Sequence, residues 1–465
     1  MFLKNKKNNM KRNFYVLHIF LVVCILLSTV SFAYADTNAN YIDISAESAI
    51  LIDKQSGRIL YEKNKDQKMY PASITKCMTA LIVLENCNLD DMVTVGDEID
   101  LISPDSSKAG LIKGETISVS DLLMGLMLPS GNDAAYSLAV YTARKASKND
   151  NLSIDESINY FVDMMNAKAA EIGAESTNFE NVDGYHDDNH YTTADDLALI
   201  IRTAMENSTF REIVGTAEYV SENVTISNGN NSTIHNWINK NELIIEGSSN
   251  YLSGATGVKT GYTTPAGYCL ASAVSQNGMN LIAVVLKSKS DFYRFNDSKA
   301  LYQYAFDNFV NYNLCNEGEI ITTVQAAIFK KGRREELNAV TESDLNALIK
   351  KTDISLLQKN ITWDTKKILI NGDREKNTAL RAPIKKGTHL GTVTYTLNGE
   401  IIAQTELLAE NDVMDKVYFN IFISIINNPT YLCITLVSIL ILLLLIGRGK
   451  KRKIAQLKDE DEEMM

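Results

Sequence analysis

"ATGVKTGYTTPAGYCLASAVSQNGMNLIAVVLKS", residues 255–288, decides the fold class. Its apolar, β-branched runs are broken at Gly and Asn, the pattern of strands joined as hairpins. At the other end of the same region, "SAILIDKQSGRILYEKN", residues 48–64, sets two strand-like runs on either side of "KQSG", again a hairpin signal. Helical periodicity dominates between them, over 73–87, 120–129, 131–146, 155–172 and 193–206, and 297–312 reads as a closing helix. Strands at both ends with helices between predict an α+β fold. One antiparallel sheet, in which the first and last strands meet, is covered by helices.

The texture then changes. "HLGTVTYTLNGEIIAQTELLA" alternates with period two and turns at Asn398-Gly399, and "KKILINGDREKNTALRAPIKKG" also reads as strand and turn. The chain is therefore expected to hold a first domain over 43–312 and a small β-rich domain over 316–410, the latter without a cluster of catalytic residue types.

Both chain ends have their own character. "MFLKNKKNNMKRN" is basic without an acid, the apolar run "FYVLHIFLVVCILLSTV" follows, and "FAYAD" supplies small residues, so residues 1–35 read as a signal peptide cleaved after Ala35. "YLCITLVSILILLLLIG", 431–447, is uncharged and would span roughly 25 Å as a helix, the short end of a bilayer crossing. "RGKKRK", 448–453, follows directly. Positive charge beside a span faces the cytoplasm, so the expectation is a single-pass membrane protein. Residues 448–465 form its cytoplasmic tail and the folded part lies outside. The preceding "VYFNIFISIINNP" extends the span, with Pro429 as a kink, or lies along the interface. The formal net charge is −11, and both ends are net basic, so the part between is more acidic still. That argues against nucleic acid or an anionic surface as a partner. Cys77, Cys87, Cys269 and Cys315 have no metal-binding spacing and leave one disulfide or four free thiols open.

Chemistry concentrates at three places. In "PASITKCMTALIVLE", 71–85, Ser73 and Lys76 stand three apart, on one face of a helix, ahead of an almost wholly apolar stretch. Alone, the serine reads as a cap and the lysine as a snorkelling cation. The sharper reading is a serine nucleophile with a desolvated lysine as its base, at a helix N-terminus that favours a developing oxyanion. "MLPSGNDAAY" adds Ser130-Gly131-Asn132, and "GATGVKTGYTTPAGY" adds Lys259-Thr260-Gly261. Each triplet alone is a weak signal. S-x-x-K, S-x-N and K-T-G in this order form a compound signature.

With "LMLPSGNDAA", "TTADDLALIIRTAM" and "GVKTGYTTPAGYCLASA", the chain resembles the low-molecular-mass penicillin-binding proteins that act as D-alanyl-D-alanine carboxypeptidases. The likeness covers roughly 43–310, and more loosely the β domain. It implies a β-lactamase/transpeptidase-like fold and a substrate of peptidoglycan stem peptides ending in D-Ala-D-Ala. It also implies β-lactams as covalent inhibitors, a C-terminal membrane anchor, and no cofactor or metal. Residue by residue, it implies that Ser73 is the nucleophile and that Lys76 takes its proton. Ser130 relays a proton to the leaving amine and Asn132 holds the substrate amide. Lys259 keeps the site electropositive and helps depress Lys76, Thr260 meets the terminal carboxylate, and Gly261 completes the motif. The backbone N–H groups of Ser73 and Tyr262 form the oxyanion hole. "NKNELI" is similar to a substrate-side segment that often carries Arg; here Lys240 stands there.

Neighbouring activities are separated by what the sequence lacks. No Glu-x-x-Leu-Asn segment lies between 133 and 258, and "ESDLN" at 342–346 falls beyond Lys259, so penicillin is expected to acylate Ser73 and stay. No G-x-S-x-G elbow is present. "YHDDNHYT" puts His186 and His190 beside two Asp, which reads as a metal cluster or, more simply, as a polar loop before the helix near Thr193. A D,D-endopeptidase would use the same three motifs. A non-catalytic penicillin sensor or wall-binding module is disfavoured by the short tail after the span.

Overall fold

The structure is a computed structural model. It describes residues 42–221, 224–226, 232–327, 334–364, 368–369, 379–413, 426–431, 433–434 and 436–446. The chain divides into two compact units, Met1–Ser45 and Ala46–Met465. The signal-peptide segment 1–35, the basic run 448–453 and the rest of the tail lie outside the described residues, as does most of "VYFNIFISIINNP".

The larger unit is built on a five-stranded antiparallel sheet. Its order is Ile59–Lys63, Ser48–Asp53, Met279–Ser288, Gly267–Gln276, Ala255–Thr263. The first and last strands of the region meet as expected, with Ile50 opposite Val284 and Ile52 opposite Ile282. The hairpin between Gly267–Gln276 and Met279–Ser288 turns at Asn277 and Gly278, both at positive φ, which suits the twist of a two-residue connection. Leu281–Leu286 are all buried, so this strand reads as a continuous apolar run because both sheet faces are covered. Helix Asp291–Asn308 and helix Ala194–Ala204 both pack against the central strands. Tyr302 of the former, fully buried, satisfies its hydroxyl on Ser272 Oγ at 2.8 Å.

Helix Lys76–Asn86 lies in the centre of the core, with every residue from Lys76 to Val83 buried. A helix apolar on all sides belongs in an interior. Each fully buried Leu or Ile there contributes about 1.5–3 kcal/mol. Helices Val119–Met127, Asn132–Ser147 and Ile154–Glu171 match the periodic stretches, the last opened by a Ser153/Glu156 capping box. Thr193 caps Ala194–Ala204 by accepting from Asp196 N.

Two expectations need correction. The 73–87 helix is split: Ala72–Thr75 is a 3₁₀ turn and the α-helix starts at Lys76. The closing helix spans Asp291–Asn308 rather than 297–312, because Ser290 caps it by accepting from Tyr293 N. Phe309–Cys315 instead pairs as a strand with Leu345–Lys350. Helix Ser208–Gly215 lay unread between the periodic stretches.

A second apolar core, including Leu337, Leu380, Val393 and Leu407, sits in the β-rich part. The hairpin His389–Leu397/Glu400–Ala409 turns at Asn398 and Gly399, both at positive φ. Of "KKILINGDREKNTALRAPIKKG", Ile368–Leu369 and Ala379–Arg381 are strands. A helix over Pro429–Ile446 is long and apolar enough to cross a membrane, with Pro429 at its first position rather than at a kink. Cys77, Cys87, Cys269 and Cys315 are free thiols.

Candidate active site

Ser73 sits in the 3₁₀ turn ahead of the buried helix. Ala72 before it is in the left-handed region, φ +48°, an uncommon conformation for a residue with a Cβ. Two glycines permit that turn. A Cβ on Gly184 would lie 1.9 Å from Ala72 O, and one on Gly261 would lie 2.9 Å from Pro71 O and 3.2 Å from Ser73 N. The glycine of K-T-G is therefore required by close approach: the sheet's edge strand lies directly on the serine's turn.

Lys76 is fully buried. Its Nζ lies 2.9 Å from Ser73 Oγ, 2.7 Å from Asn132 Oδ1 and 2.7 Å from the Asp183 carbonyl oxygen. An ammonium donates to all three. A neutral amine keeps two N–H groups for the two carbonyl oxygens and turns its lone pair to the Ser73 hydroxyl, which then donates to it. The neutral form thus needs no rearrangement. Burial pulls Lys76 down to about 8; Asp183 opposes this and Lys240 adds to it.

Lys259 is also fully buried, and burial together with Lys76 holds it well below its ordinary value. Repulsion between the two buried ammonium groups is mutual, so each resists charging beside the other. Lys259 Nζ donates to Thr260 O at 3.1 Å.

The edge strand sorts its residues by parity. Gly261 faces the serine's turn, and Lys259 shares that face. Thr260 and Tyr262 alternate away; Thr260 is buried, while Tyr262 is 52% exposed with its ring 4.6 Å from that of Tyr268.

Ser130 (φ +66°) and Asn132 bracket Gly131, where a Cβ would meet Ala109 and the Gly125 carbonyl within 2.8 Å. Next to them Asp133 is buried and accepts from the backbone N–H groups of Ala109, Gly110 and Leu111 at 2.6, 2.8 and 3.0 Å. It ties the loop carrying Ser106 and Ser107 to the S-x-N turn. Lys240 Nζ donates to Ser107 Oγ at 2.7 Å.

Ser73, Ser130, Asn132, Thr260, Gly261 and Tyr262 line one cavity of about 590 Å³, with Lys240 on its wall. The three motifs, distant in sequence, therefore converge, with Lys76 behind Ser73 and Lys259 behind the edge strand.

Sequence reasoning missed Arg294, also on that cavity. Its Nη1 donates to Gly261 O at 3.2 Å, it pairs with Asp291, and its Nε is buried without a partner. Starting the closing helix at 297 left Arg294 outside it; a Ser290 cap signal could have found it. The Asp183 carbonyl was invisible because every residue type has one.

His186 and His190 do not converge on a metal. Both ring nitrogens of His190 are engaged, by Glu180 N–H and by Thr75. The His186 ring packs edge-on against Tyr70, 4.7 Å away. Among the described residues no three His, Cys, Asp or Glu side chains gather to hold a metal ion. The "ESDLN" segment lies in the β-rich part, where Leu345 pairs with Cys315.

Comparison with known proteins agrees with this geometry. Residues 34–290 match the D-alanyl-D-alanine carboxypeptidase family, and 309–415 match the C-terminal domain of penicillin-binding protein 5. The chain is 29% identical over 385 residues to D-alanyl-D-alanine carboxypeptidase DacF of Bacillus subtilis, covering 81% of this chain and 88% of that one. It is 32% identical to DacA of Haemophilus influenzae, over 80% of this chain and 86% of that one. Among solved structures it is similar to the Streptomyces K15 DD-transpeptidase (36% identity, TM-score 0.53, 57% of this chain and 98% of that one). It is also similar to penicillin-binding protein 5 from Haemophilus influenzae (30% identity, TM-score 0.58, 80% and 98%). The chain belongs to the D-alanyl-D-alanine carboxypeptidase family of penicillin-binding proteins.

Proposed function

We propose that the protein is a serine D-alanyl-D-alanine carboxypeptidase that removes the terminal D-alanine from peptidoglycan stem peptides through an acyl-enzyme on Ser73. The observation that carries this is the contact of Lys76 Nζ with Ser73 Oγ at 2.9 Å inside a dry interior, where burial brings the amine near neutrality. Neutral Lys76 takes the hydroxyl proton as Ser73 Oγ attacks the carbonyl of the penultimate D-alanine. The N–H groups of Ser73 and Tyr262 receive the oxyanion, placed where charge develops. Ser130 passes a proton to the departing amine, and Asn132 holds the substrate amide while orienting Lys76. Water then releases the shortened peptide and restores Ser73.

The terminal carboxylate goes to Thr260 and Arg294. A guanidinium stays charged at any working pH, whereas a depressed lysine does not, so Arg294 supplies the fixed positive charge and Lys259 the adjustable one. Lys240, held on Ser107, adds another cationic side chain to the cavity lining. β-Lactams acylate the same serine. The catalytic domain is assigned to 43–312 and the small β-rich domain to 316–410. The Pro429–Ile446 helix anchors the chain by its C-terminus, with the active site outside the cell and 448–465 inside.

Incubation with a stem pentapeptide ending in D-Ala-D-Ala tests the reading. Free D-alanine and a mass increment on Ser73 are expected. Cleavage confined to cross-linked dimers would make it an endopeptidase, and neither product nor adduct would defeat the assignment.

A further inference from the structure

We propose that His190 and Thr75 are positioning residues for Ser73. A buried hydrogen-bond chain from the Glu180 N–H through the His190 imidazole and the Thr75 hydroxyl to the Ala72 carbonyl holds the left-handed turn that presents the serine to Lys76. The proposal rests on the reading of Ser73 as nucleophile.

The chain's direction follows from its first member. Glu180 N can only donate, and it lies 3.1 Å from His190 Nδ1, so that nitrogen carries the lone pair. Nε2 then bears the hydrogen and donates to Thr75 Oγ1 at 2.8 Å. The Thr75 hydroxyl in turn donates to Ala72 O at 2.8 Å. Each donor and acceptor along the path is used once, and Ala72, Thr75 and His190 are each at most 2% exposed. Water cannot substitute for a lost link. Burial also holds His190 down to about 4, so the neutral ring this order needs persists through the physiological range.

The anchored group is the strained one. Ala72 at φ +48° has no polar side chain to stabilise that conformation, which L-residues disfavour because Cβ crowds the following carbonyl. Its carbonyl orientation fixes the Ala72–Ser73 peptide plane, and with it the directions of the Ser73 N–H and Oγ. The segment that supplies His190 also takes Lys76 Nζ on the Asp183 carbonyl and Thr79 Oγ1 on the Val182 carbonyl, the latter at 2.6 Å. One loop thus sets both nucleophile and base relative to each other, although none of its side chains needs to touch substrate.

The test separates positioning from simple stapling of the fold. Acylation by a fluorescent penicillin is followed to saturation, giving a first-order rate constant and a non-covalent dissociation constant, alongside the melting temperature. Thr75→Val, isosteric without the hydroxyl, is expected to lower the first-order constant about tenfold or more with the dissociation constant unchanged. Thr75→Ser, which keeps the hydroxyl, should stay within about threefold of the parent. His190→Leu should match Thr75→Val, and the double variant should lose no more than either, since one broken link disables the chain. Wild-type rate constants in Thr75→Val or His190→Leu would overturn the proposal. So would a loss seen only in the fraction of molecules labelled, in step with a lower melting temperature. If the parent protein itself gains no adduct on Ser73, the proposed reaction fails; if the parent acylates and the variants match it, only the positioning role fails.

Discussion

Lys76 must lose its proton before it can accept one from Ser73, so acylation should follow the free-base fraction of a single buried amine. With that amine at about 8, the fraction is about 1% at pH 6, about 9% at pH 7, about half at pH 8 and about 90% at pH 9. The second-order acylation rate with benzylpenicillin should therefore rise about fiftyfold from pH 6 to 8 and only about twofold beyond. Stopped-flow competition against a fluorescent penicillin measures it. A second perturbation identifies the group. Lys240 pushes Lys76 down, so Lys240→Met should move the inflection to higher pH. A rate flat between pH 6 and 8, or one that falls with pH, would refute the reasoning. The same depression has a stability consequence. The unfolded chain holds this proton up to the ordinary 10.5. Between about 8 and 10.5 it binds more protons than the folded one, and stability rises with pH. Below 8 the full penalty is present, roughly 3 kcal/mol. Denaturant titrations of Lys76→Met should lack that rise relative to the parent.

Other perturbations follow from single contacts. Gly261→Ala would set a methyl 2.9 Å from Pro71 O and 3.2 Å from Ser73 N; acylation should drop at least tenfold in a protein that still folds, read by penicillin labelling beside circular dichroism. Arg294→Leu should raise KM about tenfold or more for peptides with a free terminal carboxylate, the loss of one charged hydrogen bond. A carboxamide-ended peptide, hydrolysed slowly, should be nearly indifferent to it. Asp133→Asn weakens a carboxylate that accepts from Ala109, Gly110 and Leu111. A cost of about 1–3 kcal/mol in denaturant titration is expected, with a higher KM as the Ser106–Ser107 rim loosens.

What could be read in advance, and what could not, divides along a physical line. Ser73, Lys76, Ser130, Asn132 and the K-T-G triplet announce themselves because nucleophile, base and charge reside in side chains. The sheet was legible because the 281–286 run has no polar face to offer solvent. What stayed hidden works through backbone. The Asp183 carbonyl receives Lys76, the Ala72 carbonyl ends a hydrogen-bond chain, and Gly184 matters for the Cβ it lacks. Arg294 was hidden for a different reason: its helix begins at Asp291, behind a serine cap and six residues before the stretch 297–312 that reads as helical. A distant relative could keep all three motifs intact and still lose the reaction through one substitution at Gly184. There a methyl group would occupy the space of the carbonyl that shapes the serine's turn. Motif matching measures whether the reacting groups are present; whether they can react depends on amide geometry that the motifs do not encode.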